Sequence, residues 1–216
     1  MAEHCCSKKG DAIAELAARA DQRRVLVTVM VINLAMFFAE FGGGVVARSS
    51  ALMADSVDML GDAIVYGLSL YALTRGARWQ AGAAIAEGGI ILVFGVAVGV
   101  EIIDKLVNGV PPSSRLMLAF GGLALTANLT CLAMLWRFRT TNVNMASTFE
   151  CSRNDVVSNI GVLAAASLVA LTGQAWPDIA VGAIVALIFL RSALHVLRQA
   201  IPAWRDASPR PRPAGQ

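Results

Sequence analysis

Along this chain apolar residues gather into six blocks separated by short polar stretches. Each block approaches the roughly 20 residues that a helix needs to cross a hydrocarbon layer about 30 Å thick. The pattern predicts spans at 25–46, 51–73, 81–100, 117–136, 144–171 and 176–197. The chain accordingly divides into a polar segment at 1–24, a six-helix membrane domain at 25–200 and a tail at 201–216. The first segment has no apolar core behind its basic residues, so it does not read as a cleaved leader. The tail interleaves proline with arginine and has too little apolar surface to fold. A disordered end without a soluble domain is expected there.

Acids interrupt two of the blocks. Asp55, Asp58 and Asp62 fall within about 60° of arc at about 100° per residue, so they share one stripe of the second helix. Leu52, Met59, Ile64 and Leu68 cover its other sides. A charge in hydrocarbon costs at least about 2.5 kcal/mol unless something pairs with it, which makes the stripe a candidate binding feature. In the fifth block Cys151 precedes Asp155 by four residues, a rotation of about 40° that sets thiol and carboxylate side by side. Asp58 and Asp62 repeat that spacing. Both pairs lie near mid-depth of their helices, and two facing pairs supply the number and kind of donors that tetrahedral zinc accepts.

Composition removes the soluble alternatives. A chain of 216 residues that is 56% hydrophobic and 15% charged is too apolar for a soluble domain. Basic residues also fix an expected orientation. Lys8, Lys9, Arg19, Arg23 and Arg24 precede the first span, and Arg75 and Arg78 follow the second. Arg137 and Arg139 follow the fourth, and Arg198, Arg205, Arg210 and Arg212 close the chain. Arg48, Lys105 and Arg115 fall in the opposite loops, so the positive-inside rule puts both termini in the cytoplasm. The net charge of +3 reports this topology and makes no case for nucleic acid.

The run S-x-A-L-x-A-D-S-x-D-x-x-x-D at 49–62, the second pair at Cys151 and Asp155, six spans and cytoplasmic termini together resemble the cation diffusion facilitator family of zinc transporters. The resemblance covers about Arg24 to Ala200. It implies an all-α membrane protein whose metal ligands are Asp58, Asp62, Cys151 and Asp155. Further matches are Asn33 and Glu40 in the first span, Gly82 and Glu87 entering the third, and Asn128 in the fourth. The implied activity is export of Zn2+, with Cd2+ beside it, from the cytoplasm across a bacterial inner membrane. Protons are exchanged by alternating access in a homodimer embedded in lipid, and no cofactor is implied. Three departures stand out. Cys151 occupies a position where the family usually has histidine, the loop at 74–82 has no His or Asp, and the tail at 201–216 is not expected to form the cytoplasmic metal-binding domain of other members.

Other polar residues have blander readings. Asp55 fits a ligand, a supporting acid, a proton carrier or a helix-end residue. Cys131 has no acidic neighbour in its helix and reads as packing. His4, Cys5 and Cys6 form a soft tract beside Glu3 that either captures metal or is merely a terminus. His195 reads as interfacial, and Asn154 and Asn159 are placed to orient ligands through hydrogen bonds. Glycines at Gly42, Gly43 and Gly44 and at Gly88, Gly89, Gly95 and Gly99 mark close helix contacts, with or without hinging. A weak correspondence between the second and fifth spans points to an inverted repeat of two three-helix halves. Two rival functions remain at this level. An intramembrane aspartyl protease would need a Gly-x-Gly-Asp signature, half met by Leu60-Gly61-Asp62. A proton-coupled organic-cation carrier would need an aromatic cage, for which the second and fifth spans offer Tyr66, Tyr71 and Phe149.

Overall fold

The long apolar blocks, rich in leucine and alanine and nearly free of internal proline, favour helix over any other way of satisfying backbone groups in lipid. The computed structural model describes the backbone at 2–71, 77–141 and 143–206. It describes side chains over the same stretches except at 2–19, 68, 69, 71, 77, 80, 143, 144 and 147. Among these residues the chain forms α1 (Ala2–Ala47), α2 (Ser50–Tyr71), α3 (Ala77–Asn108), α4 (Ser114–Trp136), α5 (Val143–Thr172) and α6 (Trp176–Asp206), with no strand. Stretches of α1, α4, α5 and α6 are each long and apolar enough to cross a membrane by themselves. The protein is a multi-pass helical membrane protein.

Helix α2 is the hub of the bundle and touches every other helix. That position explains its composition: shielded by its neighbours, it tolerates acids that a lipid-facing helix does not. The helices that an inverted repeat would make equivalent, α1 with α4, α2 with α5 and α3 with α6, also pack on one another.

The α1–α2, α3–α4 and α5–α6 connections lie at one end of the bundle, here called the far end; both termini belong to the near end. At the far end Arg48 takes a left-handed φ of 52°. This reverses the chain so that the Ser49 amide donates to the Gly44 carbonyl at 2.8 Å. Ser49 Oγ then caps α2 by accepting from the Leu52 amide at 3.1 Å. Beside the cap Ala47, Ala51, Leu52, Met117, Val162, Ala165, Ala166 and Val169 form an apolar plug between α1, α2, α4 and α5. At the near end Val25, Val29, Tyr66, Cys131, Leu135, Phe138, Met145 and Phe149 form a second cluster. Cys131 is therefore packed in apolar surroundings.

One carboxylate ties three elements together at the far end. Asp178, at the start of α6, accepts from the Ser50 amide at 2.9 Å and the Ala51 amide at 3.1 Å, and from Ser49 Oγ. These are backbone donors that the first turn of α2 otherwise leaves unpaired. Lys105 of α3 completes the node, with Nζ 2.5 Å from Asp178 Oδ2 and 2.9 Å from Ser50 Oγ. Both charged side chains are almost wholly buried, at 2% and 0% exposure. Here the sequence reading needs correction, because Lys105 is not a loop residue. It is the buried partner of Asp178 inside α3, which runs to Asn108, well past the expected end at residue 100.

Two further boundaries differ from expectation. Helix α6 continues through Pro202 to Asp206, where a tail had been expected from residue 201; residues 207–216 lie outside those described. The extension is held by Trp204, whose ring takes the Arg78 guanidinium at 5.0 Å and packs beside Gly82. The polar segment at 1–24 is helical from Ala2 and continuous with the first span.

Gly182 shows how tightly the far end is built. A methyl group added there would stand 2.8 Å from the Ser50 carbonyl carbon and 2.9 Å from the Ala51 nitrogen. Backbone cannot yield as a side-chain tip can, so Gly182→Ala should push α6 off the start of α2. A loss of about 1–3 kcal/mol, as for overpacking in general, is expected. Thermal unfolding in detergent is the check, with Gly89→Ala, where nothing lies within 4 Å, as the neutral control.

Candidate cation site

The stripe expected on α2 faces inward. Asp55 is buried, while Asp58 and Asp62 are half-buried. Opposite them α5 presents Asp155, which is buried, and Cys151, which is exposed. The four residues Asp58, Asp62, Cys151 and Asp155 line one cavity of about 240 Å³, together with Asn154 and Ser158. Val185, Ile188 and Phe189 of α6 supply its apolar wall.

Within it Asp155 of α5 faces the side chains of both Asp58 and Asp62 of α2. Carboxylates only accept, so these acids offer one another no donor while ionised. Tyr66 closes the near side, its hydroxyl donating to Asp62 Oδ2 at 2.7 Å. The arrangement is not a finished coordination sphere. Among the described residues no three His, Cys, Asp or Glu side chains converge closely enough to hold an ion as they stand. Cys151 stands exposed at the margin of the cavity.

Asp55 is not part of this cavity lining. It accepts from Ser158 Oγ and from Asn159 Nδ2 at 2.5 Å, and Asn159 Oδ1 in turn accepts from Asn128 Nδ2 at 3.3 Å. Asn159 thus serves Asp55, whereas Asn154 lines the cavity itself. On α1, Glu40 lies fully buried beside Asp55, and Asn33 one stretch nearer the termini is buried too. Glu87 of α3 is near enough to Asp62 for the two acids to repel. His195 lies apart, in a groove along α6 with Arg191 and Arg198, bonded to Gln199. The His4, Cys5 and Cys6 side chains lie outside those described.

A profile of the cation efflux transmembrane domain matches residues 26–203. The chain belongs to the cation diffusion facilitator family. Its relatives include the metal cation efflux system protein CzcD of Cupriavidus metallidurans, 27% identical over 83% of this chain and 63% of that protein. The cadmium, cobalt and zinc/H(+)-K(+) antiporter of Bacillus subtilis is 24% identical over 87% of this chain and 65% of that protein. The zinc transporter ZitB of Escherichia coli is 23% identical, covering 86% and 64%. The chain therefore spans just under two thirds of the length of these relatives. Their names describe cation efflux, antiport and zinc transport, so these relatives lend the aspartyl protease reading no support. Within this cation diffusion facilitator the matched region contains the whole cavity and the Asp178 node.

Proposed function

We propose that this chain exports divalent metal, chiefly Zn2+ and with it Cd2+, from the cytoplasm in exchange for protons. One observation carries the reading: two donor pairs, each spaced i, i+4, from α2 and α5 line a single interior cavity in a chain of this family. In this reading Asp58, Asp62, Cys151 and Asp155 are the metal ligands. The near end and both termini face the cytoplasm, and the protein works in the inner membrane as a homodimer.

The exchange follows from donor chemistry. Acid and thiol protons must leave the Asp58, Asp62, Asp155 and Cys151 side chains before these groups can hold a cation, so loading and proton release are one event. Alternating exposure to a neutral cytoplasm and a more acidic outer compartment would then drive export. The cavity, at about 240 Å³, lies below the roughly 300–1,000 Å³ of organic-ligand pockets, which argues against a bulky organic cation.

Inside-out vesicles with an acidic lumen test this directly. Zn2+ should enter while the lumen turns alkaline, and entry should stop when the gradient is collapsed. No uptake of any divalent metal would sink the reading, and uptake indifferent to the gradient would remove its proton half. Cys151→His should keep Zn2+ transport but lower the ratio of Cd2+ to Zn2+ carried, because imidazole is harder than thiolate. An unchanged ratio would mean that the thiol is not a ligand.

A further inference from the structure

We propose that Glu40 of α1 and Asp55 of α2 form a second station for the divalent cation, on the far-end side of the Asp58/Asp62/Cys151/Asp155 cavity. The proposal builds on the reading of that cavity as the cargo site.

Glu40 has 0% exposure, and no donor in the described protein reaches either of its carboxylate oxygens. Its polar neighbour is another acid, the side chain of Asp55. Two buried carboxyl groups facing each other, one of them reached by no donor among the described residues, are a poor structural element. Neither offsets the other's desolvation, and a hydrophobic pair would pack there at lower cost. What such a pair does well is hold a cation between oxygens.

The surroundings are those of a prepared ligand. Asp55 is oriented by Ser158 and Asn159, and Asn159 is itself held by Asn128, the kind of outer support that fixes a coordinating carboxylate. Asn33, on the same side of α1 as Glu40, also leaves its Oδ1 without a donor in the interior. On this face of α1, then, buried acceptor oxygens outnumber the donors that reach them among the described residues.

The station is also joined to the cavity. Ser158 lines the cavity and donates to Asp55, so one side chain borders both. Asp55 lies three residues beyond Asp58, about 4.5 Å farther along α2. Past it comes the apolar plug around Ala47, Leu52, Met117 and Val162. A cation leaving by the far end would therefore meet Glu40 and Asp55 last. The donors change on the way, from a set containing sulfur to oxygen alone. A soft ion such as Cd2+ loses more in that step than Zn2+ does, so the station would set the pace of Cd2+ export in particular.

The test counts Zn2+ by equilibrium dialysis of the detergent-solubilised full chain, carrying His4→Ala, Cys5→Ser and Cys6→Ser to silence the terminal tract, and measures flux in vesicles. The parent should bind a second, weaker ion after the first. Glu40→Gln, nearly isosteric, should lose the second ion, keep the first with unchanged affinity and slow Zn2+ flux by about tenfold or more, the scale of lost ligand support. Asp55→Asn, which still offers Ser158 and Asn159 an acceptor, should do the same, so that a folding fault at one position does not decide the matter. Native stoichiometry and native flux in Glu40→Gln overturn the proposal, as does a parent that saturates with one ion. Asp155→Asn separates the two readings: if it leaves the first ion bound, the cargo assignment of the cavity fails, while the Glu40 outcome still decides the station.

Discussion

Asp155→Asn is expected to abolish metal transport while leaving a folded protein in the membrane. Asparagine has the same shape, can donate its amide N–H to a facing carboxylate, and fits a position that is already polar and buried. It lacks the charge a divalent ion needs and has no proton to exchange. Asp155 faces both Asp58 and Asp62 across the cavity, so its replacement removes a charged donor from the centre of the candidate site while the neutral amide keeps α2 and α5 in contact. Losing a residue that merely supports a ligand costs about 10–100-fold. Losing a ligand that is also the proton carrier should exceed about 100-fold in flux. Vesicle uptake normalised to folded protein is the measurement, and flux within a few-fold of native would show that Asp155 is structural.

The second large effect concerns stability. Lys105→Met should destabilise the bundle by about 3–5 kcal/mol, the cost of leaving one member of a buried ion pair alone. Here the orphan would be Asp178, which still accepts from the Ser50 and Ala51 amides; those bonds soften the loss without supplying a counter-charge. A fall in unfolding midpoint on the order of 10 °C is expected. Lys105→Met combined with Asp178→Asn should recover much of it, because no isolated charge remains and the amide oxygen can still cap α2. A double-mutant cycle reads the coupling. Additive losses would mean that the two charges act separately.

Six helices and the inward stripe of acids were legible because both rest on local rules, apolar length and helical periodicity. The pairing of Cys151 with Asp155 was equally legible, being one turn of one helix. The node at Asp178 was not. Lys105 and Asp178 are 73 residues apart, each flanks an apolar block, and the positive-inside pattern alone assigns such a lysine to a loop. A hint was present in Ser49 and Ser50, cap-forming residues immediately before the α2 block. The far end of α3 was lost for the same reason, since Glu101, Asp104 and Lys105 end a hydropathy signal without ending a helix. Trp204 behind Pro202 misled in the opposite direction: proline after a basic stretch reads as a terminus, and only the groove beside Gly82 shows why the helix continues.

The carboxylate that caps α2 is among the last parts of the bundle to be made. Ser50 leaves the ribosome 128 residues before Asp178 does. Through that interval the start of α2 has unpaired amides, and Lys105 waits without its counter-ion. The hub helix thus cannot reach its final state until the sixth helix enters the membrane. Arrested or truncated chains that end before Asp178 would carry an exposed ammonium and an open helix start, marks that membrane quality control can recognise. Insertion of α6 is in that sense the step that closes the fold, and substitutions at Asp178 should show first as loss of nascent chains during biogenesis.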